Sequence, residues 1–518
     1  MATRTWSSAA STDLNDVANY SGSGAFLTTD DLVFDNTSVV NATATESLSV
    51  NSVTVAATYS GNMTFSGYSI TCANGNVSFD GIGTLNLGNG ITMSGASATF
   101  HVGSGVGTVT ATSCVVTMNG TTAMVIDDDK GCAFKMLILG VNAKIANNGN
   151  AASVYSNVTT PFIMGASSSL VNNKTLKFVL TGPSAFTSLG SGYAISGSQA
   201  INFQVGENSI TVTLPSITTT NTPLILVESG ASKTGWTFQL TGAINAGTAN
   251  LDIAVANANS TGTFDFNGQN IICGSFRSGA FTTTNNVTLD YSSGTFSVTS
   301  FAGSVYNASC TISENFQSSQ WTCSGNWTFG SNHTIDPGTS KVTITNTSTI
   351  TSNAKLFYDL IINASGKTIT LADALSVHDF TVTEGTLTGN FSTTCSGDAS
   401  FSVSTTLYRL IMTKATSRTI TVLAGGTLTL SNVTDTNLNG SAGALTQWRS
   451  TILGTAFNLS IPGIITLTYQ NPQDSAASAE ITANDGTSLN WGGNTNWTFP
   501  TVSASRKRSF IYKVFKGD

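Results

Sequence analysis

The sequence predicts an all-β protein, an elongated parallel β-helix or β-solenoid with capped ends. Three observations point there. Short runs of alternating apolar and polar residues, rich in Val, Ile and Thr, recur along the whole chain between Gly, Asn and Ser breaks. Charged residues make up 9% of the 518, far below the roughly 25% of ordinary soluble domains. Proline is scarce, with 8 residues. In stacked coils each side chain meets its counterparts above and below, so like charges repel while hydroxyls and amides bond along the ladder. Proline would remove a ladder N–H. A string of β-sandwich domains is the alternative, because the repeat period is not clean, and a propeller also uses short strands.

The elements follow in order. Residues 1–45 read as an N-terminal cap or first coil, with Trp6, Tyr20 and the acidic group Asp30, Asp31 and Asp35. Residues 46–465 read as solenoid repeats. "GTLNLGNGITMSGASATFHVGSG" (83–105) is strand, turn, strand, turn, strand. "LFYDLIINASGKTITL" (356–371) and "TLYRLIMTKATSRTITV" (406–422) carry one pattern in different side chains. In the first, Leu360 and Ile362 precede a polar break and the run 368–371; in the second, Leu410 and Met412 precede a break and the run 419–422. A coil needs an apolar residue here and a turn-former there, so identities drift while the pattern persists. The nearest approach to a helix signal is short, Ala372 to Ser376. Residues 466–500 read as a C-terminal cap, where Trp491 and Trp497 cover the last coil or offer a glycan-contact platform. Residues 501–518 form a basic tail with Arg506, Lys507, Arg508, Lys513 and Lys516, either a solvated end or an attachment segment. Coils of roughly 20–25 residues, rising about 4.8 Å each, give some 20 coils over ~100 Å.

Composition excludes several classes. A 40% apolar content argues for a folded chain over a disordered one. The net charge of −7 argues against a nucleic-acid binder. No apolar run reaches the ~18 residues of a membrane span. The opening residues lack an apolar core behind a basic end, so synthesis in a cytoplasm without a signal peptide is expected. Seven dispersed cysteines read as buried or ladder thiols, not a disulfide framework.

The search for chemistry returns little. His101, His333 and His378 show no metal spacing. "GKT" at 366–368 lacks the upstream Gly of a phosphate loop, since position 361 is Ile. Asp127, Asp128 and Asp129 are the densest acidic stretch. They are either a solvated turn or oxygen ligands for a structural Ca²⁺, the only cofactor the sequence suggests. Asp359, Asp373, Asp379 and Glu384 are carboxylates that coil register would pair if the chain cleaved glycosides. No catalytic or cofactor-binding residue is assigned. The triplets at Asn36, Asn41, Asn62 and Asn157 are expected in a chain this rich in Asn, Ser and Thr, and glycosylation is not inferred.

Three stretches carry a resemblance: "MATRTW" through "LTTDDLVFDNTSVVN", residues 309–377 with "DPGTS" and "LFYDLII", and the closing "GGNTNWTF". The chain resembles phage-encoded repetitive β-solenoid virion proteins, of head or tail fibre or tailspike-like kind, known mainly from environmental viral sequences. The resemblance covers most of the chain and rests on structural motifs. It implies a location on the virion surface, other virion proteins as partners, and a homo-oligomer with a trimer favoured. The expected function is a structural or adhesive β-rod that binds a host surface or glycan, with no nucleic acid and no membrane insertion. A tailspike-type polysaccharide depolymerase, hydrolase or lyase, is the alternative, and a bacterial surface adhesin is a third. The reading leans away from an enzyme.

Overall fold

The structure is a computed structural model. It describes residues 2–500 except 9–10, 23, 121–122, 130–132, 140–142, 148–151, 157–161, 173–175, 181–192, 206, 230–232, 256–259, 281–285, 304–310, 414–415 and 435–436. The basic tail, with Arg506, Lys507, Arg508, Lys513 and Lys516, lies outside the described residues, as do Cys132, Cys310 and Asn157.

The fold is a parallel β-solenoid. Strands of two to sixteen residues pair in parallel with the strand one coil away. β-Sandwiches are built from antiparallel sheets, so the sandwich-string alternative falls. No α-helix occurs among the described residues. The helix-like stretch at 372–376 instead runs through a turn into the strand Leu375–Thr388. The Asp373 carboxylate accepts the backbone N–H groups of Ser352 (2.8 Å) and Asn353 (2.6 Å) at that turn. The chain divides into two compact units, Met1–Ser340 and Lys341–Asp518.

In the first unit, alternation puts every second side chain inside, as in Val115–Met118. Register then turns these inward residues into columns. One runs Leu48, Ile70, Ile91, Val116, Leu137, Phe162, and all six are buried. Its neighbour runs Val50, Cys72, Met93, Met118, Leu139, Met164, so a thiol takes one rung of an apolar column. Further on the inward residues are aromatic. Phe276 stacks on Phe301 (5.8 Å between centroids) and Phe301 on Trp327 (4.3 Å), while Phe296 stacks on Trp321 (3.9 Å).

The corners repeat as well. Asn267, Ser292, Gln317 and Gly338 all have positive φ, between 47° and 53°. Each sits two residues beyond one member of the column Asp265, Asp290, Asn315, Asp336. The aspartates accept the corner N–H: Asn267 on Asp265 (2.7 Å), Ser292 on Asp290 (3.0 Å) and Gly338 on Asp336 (3.1 Å). These are Asx turns stacked coil upon coil. All three carboxylates in this column are therefore engaged in turning the chain.

The N-terminal coil begins at Thr3–Thr5, which pairs with Asp31–Phe34. Trp6 is fully buried against Tyr20 (5.1 Å) and Phe34 (5.5 Å). Buried Arg4 donates to Asp30 (2.7 Å) and to the carbonyls of Gly24 and Ala25. One buried ion pair thus ties the loop at 24–30 to the first strand.

In the second unit the inward columns are Leu360, Phe380, Ala399, Ile420 and Ile362, Val382, Phe401, Val422. Leu410 and Met412, which stand in the second segment where Leu360 and Ile362 stand in the first, lie in other columns. Leu410 follows Leu375 and Thr393, and Met412 follows Val377 and Cys395. The strand Leu356–Leu371 is continuous over 16 residues, whereas residues 405–422 form three strands. Equal patterns therefore occupy different rungs. Coil length varies: Lys341 to Asp359 is a step of 18 residues, and Thr3 to Asp31 a step of 28.

Candidate functional site

The second unit carries an outward column of charge. Lys341 pairs in register with Asp359, and Asp359 with Asp379. Both aspartates directly precede inward residues, Leu360 and Phe380, so alternation turns them outward. Parallel strands lie about 4.8 Å apart, which puts the two carboxyl groups on neighbouring rungs. Lys341 Nζ lies 3.6 Å from Asp359 Oδ2. Asp379 accepts the backbone N–H of Asp398 (2.7 Å), and His378 Nδ1 lies 3.2 Å from Asp379 Oδ2. The Tyr358 ring lies parallel to the His378 imidazole, 4.5 Å between centroids. Partial burial pushes the Asp359 pKa up; the Lys341 charge opposes this and the Asp379 charge adds to it, and the net shift is upward. Register thus brings together two of the four carboxylates named from the sequence. Asp373 caps the 352–353 turn, and Glu384 pairs with Asn363.

Outward hydroxyls form longer columns. In the first unit one runs Ser49, Thr71, Thr92, Thr117, and another Thr237, Thr263, Thr288, Ser313. In the second unit Thr381, Ser400 and Thr421 lead to Arg449. These faces offer hydrogen bonds at a fixed repeat and little charge.

Of the acidic stretch, Asp127 and Asp129 have described side chains and the Asp128 side chain does not. Asp127 stacks in register on His101. His101 Nδ1 lies 2.9 Å from Asp127 Oδ2, and Nε2 lies 2.8 Å from Asp80 Oδ1. Burial alone would lower the His101 pKa; the hydrogen bonds and charges of Asp80 and Asp127 outweigh it and raise it. Sequence spacing hid this group, because its members lie 21 and 26 residues from His101. Asp127 is one register step from His101, and Asp80 lies two residues beyond Ser78, its register partner on the other side.

The tryptophans divide. Trp6 is interior, as described above. Trp497 packs edge-on to Trp448 (6.3 Å) and its indole N–H donates to Ser475 Oγ (3.2 Å). Trp491 is 58% exposed, with the Arg449 guanidinium 4.7 Å from its ring centroid. An exposed indole bearing one cation is a stacking surface, and interior Trp6 is not. No family model, curated protein or solved structure matches the chain. Fold alone does not define function, so the reading rests on these surfaces.

Proposed function

We propose that this is a structural or adhesive phage virion protein, a fibre or surface decoration, that presents a rigid β-solenoid to a host surface or glycan. The carrying observation is the in-register outward hydroxyl column, as in Ser49, Thr71, Thr92 and Thr117. A donor and acceptor every ~4.8 Å suits a repetitive, weakly charged polymer held by many weak contacts. Exposed Trp491 adds a face on which a sugar ring can stack. The protein acts at the virion surface as a homo-oligomer, with a trimer the expected state, beside other virion proteins.

Two measurements test this. Mass spectrometry of purified particles should find the chain, and light scattering should give the oligomer mass. Immobilised host polysaccharide should retain the protein, with retention falling in a Thr71→Lys, Thr92→Lys double variant. Absence from particles, or equal retention of the double variant, would remove the proposal.

A second reading, a tailspike-type depolymerase, is favoured by the Asp359–Asp379 pair alone. Retaining glycosidases hold their carboxyl groups about 5 Å apart, with one acid's pKa raised. Release of reducing ends by the wild type and not by Asp359→Asn would establish it.

A further inference from the structure

We propose that Asp80, His101, Asp127 and Asp129 form a binding site for one divalent transition-metal ion. The donor atoms of His101, Asp127 and Asp129 all lie within 4.8 Å of one another. They come from two adjacent coils, because His101 and Asp127 are register partners. A third coil supplies Asp80, through the pairing of His101 with Ser78.

The two sides of the imidazole differ in role. Nε2 faces Asp80 at 2.8 Å, and Asp80 also accepts the Ser78 hydroxyl (3.0 Å). Nδ1 faces Asp127 at 2.9 Å, and Asp129 follows Asp127 two residues on along the same coil. A metal-bound histidine usually donates its second N–H to a carboxylate, which fixes the tautomer and the ring orientation. Asp80 occupies that position, and it is a positioning residue. Nδ1, Asp127 and Asp129 then supply three ligands, and water completes the shell.

An independent feature is the space beside the ring. Gly103 stands there, and a Cβ at that position would come 2.8 Å from Asp80 Oδ1 and 3.1 Å from His101 Nε2. The absence of a side chain leaves the imidazole and Asp80 room to meet. The imidazole selects the class of ion. Ca²⁺ takes oxygen ligands, whereas one imidazole with carboxylates suits Zn²⁺, Mn²⁺ or Co²⁺. The ion would staple two successive coils, with Asp80 tying in a third through the imidazole, a function separate from glycan contact.

The test is titration of the intact chain with ZnCl₂ and CoCl₂ by calorimetry and visible absorption, with CaCl₂ as comparison. One Zn²⁺ per chain and a Co²⁺ d–d spectrum are expected. Asp129→Asn, at an exposed position, and His101→Gln should each abolish the spectrum. Asp80→Asn should weaken Zn²⁺ binding about 10–100-fold while keeping the stoichiometry. Far-ultraviolet circular dichroism confirms that each variant is folded. No saturable Zn²⁺ binding, a spectrum unchanged in either ligand variant, or Ca²⁺ binding as tightly as Zn²⁺ would overturn the assignment.

Discussion

Trp321→Ala tests the stacked core most directly. Trp321 is 1% exposed. Its indole lies flat on Phe296 and meets Phe276, Tyr291 and Phe316 at centroid distances of 5.1 to 5.5 Å. Removing a buried indole takes away roughly 200 Å² of apolar contact, or about 5 kcal/mol at ~25 cal/mol per Å². Measured Trp→Ala losses in cores run to about 3–5 kcal/mol. The indole N–H also donates to Ser319 Oγ (2.9 Å), and Ser319 is fully buried, so its hydroxyl loses a partner as well. In a solenoid each coil contacts only its neighbours, so the loss should stay local. Native-state hydrogen exchange reads this strand by strand. Protection of Phe296–Val298 and Gln320–Cys323 should fall by about two to three and a half orders of magnitude, following the 3–5 kcal/mol. Protection of Leu48–Val50 should not change. Trp321→Phe keeps the stack on Phe296 and should restore most of the protection. An equal loss in the distant strand, or none near the site, would refute the column picture.

Other outcomes follow from the same contacts. Arg4→Ala leaves Asp30 buried without its cation, and breaking such a pair costs about 3–5 kcal/mol, so amides of the first coil should lose protection. The Asp30 carboxyl feels burial, which raises its pKa, but the Leu27 N–H and Arg4 outweigh this and hold it below the ordinary value. Its contribution is therefore present above the unfolded aspartate pKa and is lost as pH falls through the lower folded value; a wild type that keeps first-coil protection through that acid window would contradict the assignment. Asp359 has the opposite sign: its stabilising share is present below the unfolded pKa and fades as pH rises through the raised folded value. A pH–stability profile of Asp359→Asn should lack that step. Cys72, Cys114 and Cys273 are buried free thiols pushed up to about 12 by burial, and Cys395 is pushed up further. Peptide mapping after iodoacetamide at pH 8 should find these four unlabelled in folded protein and labelled in guanidinium. Gly262→Ala would drive a Cβ into the Trp236 indole and backbone carbonyl; overpacking of this kind costs about 1–3 kcal/mol, read as a lower melting temperature.

The parallel stack was legible because it leaves a compositional trace. Charge depletion, scarce proline and β-branched alternation all follow from placing each side chain on a like neighbour. The D-x-N and D-x-S corners at 265–267 and 290–292 were also written in the chain, as an acceptor two residues before a left-handed position. Register was not legible. Leu360 and Leu410 carry the same local pattern, yet they lie in different columns, because the loop lengths between them set the rung. Everything that depends on register was hidden with it. Asp359 and Asp379 were named but could not be paired, and His101 looked isolated while Asp80 and Asp127 flanked it one coil to either side. Trp6 and Trp491 looked alike as terminal aromatics, and only burial separates them.

Steps between rungs range from 16 to 31 residues while the inward columns stay aligned. The interior therefore constrains only the short paired runs, and the connecting corners are free to grow or shrink. One bend can lengthen without disturbing its neighbours. The outer surface is thereby free to vary on a framework that hardly changes.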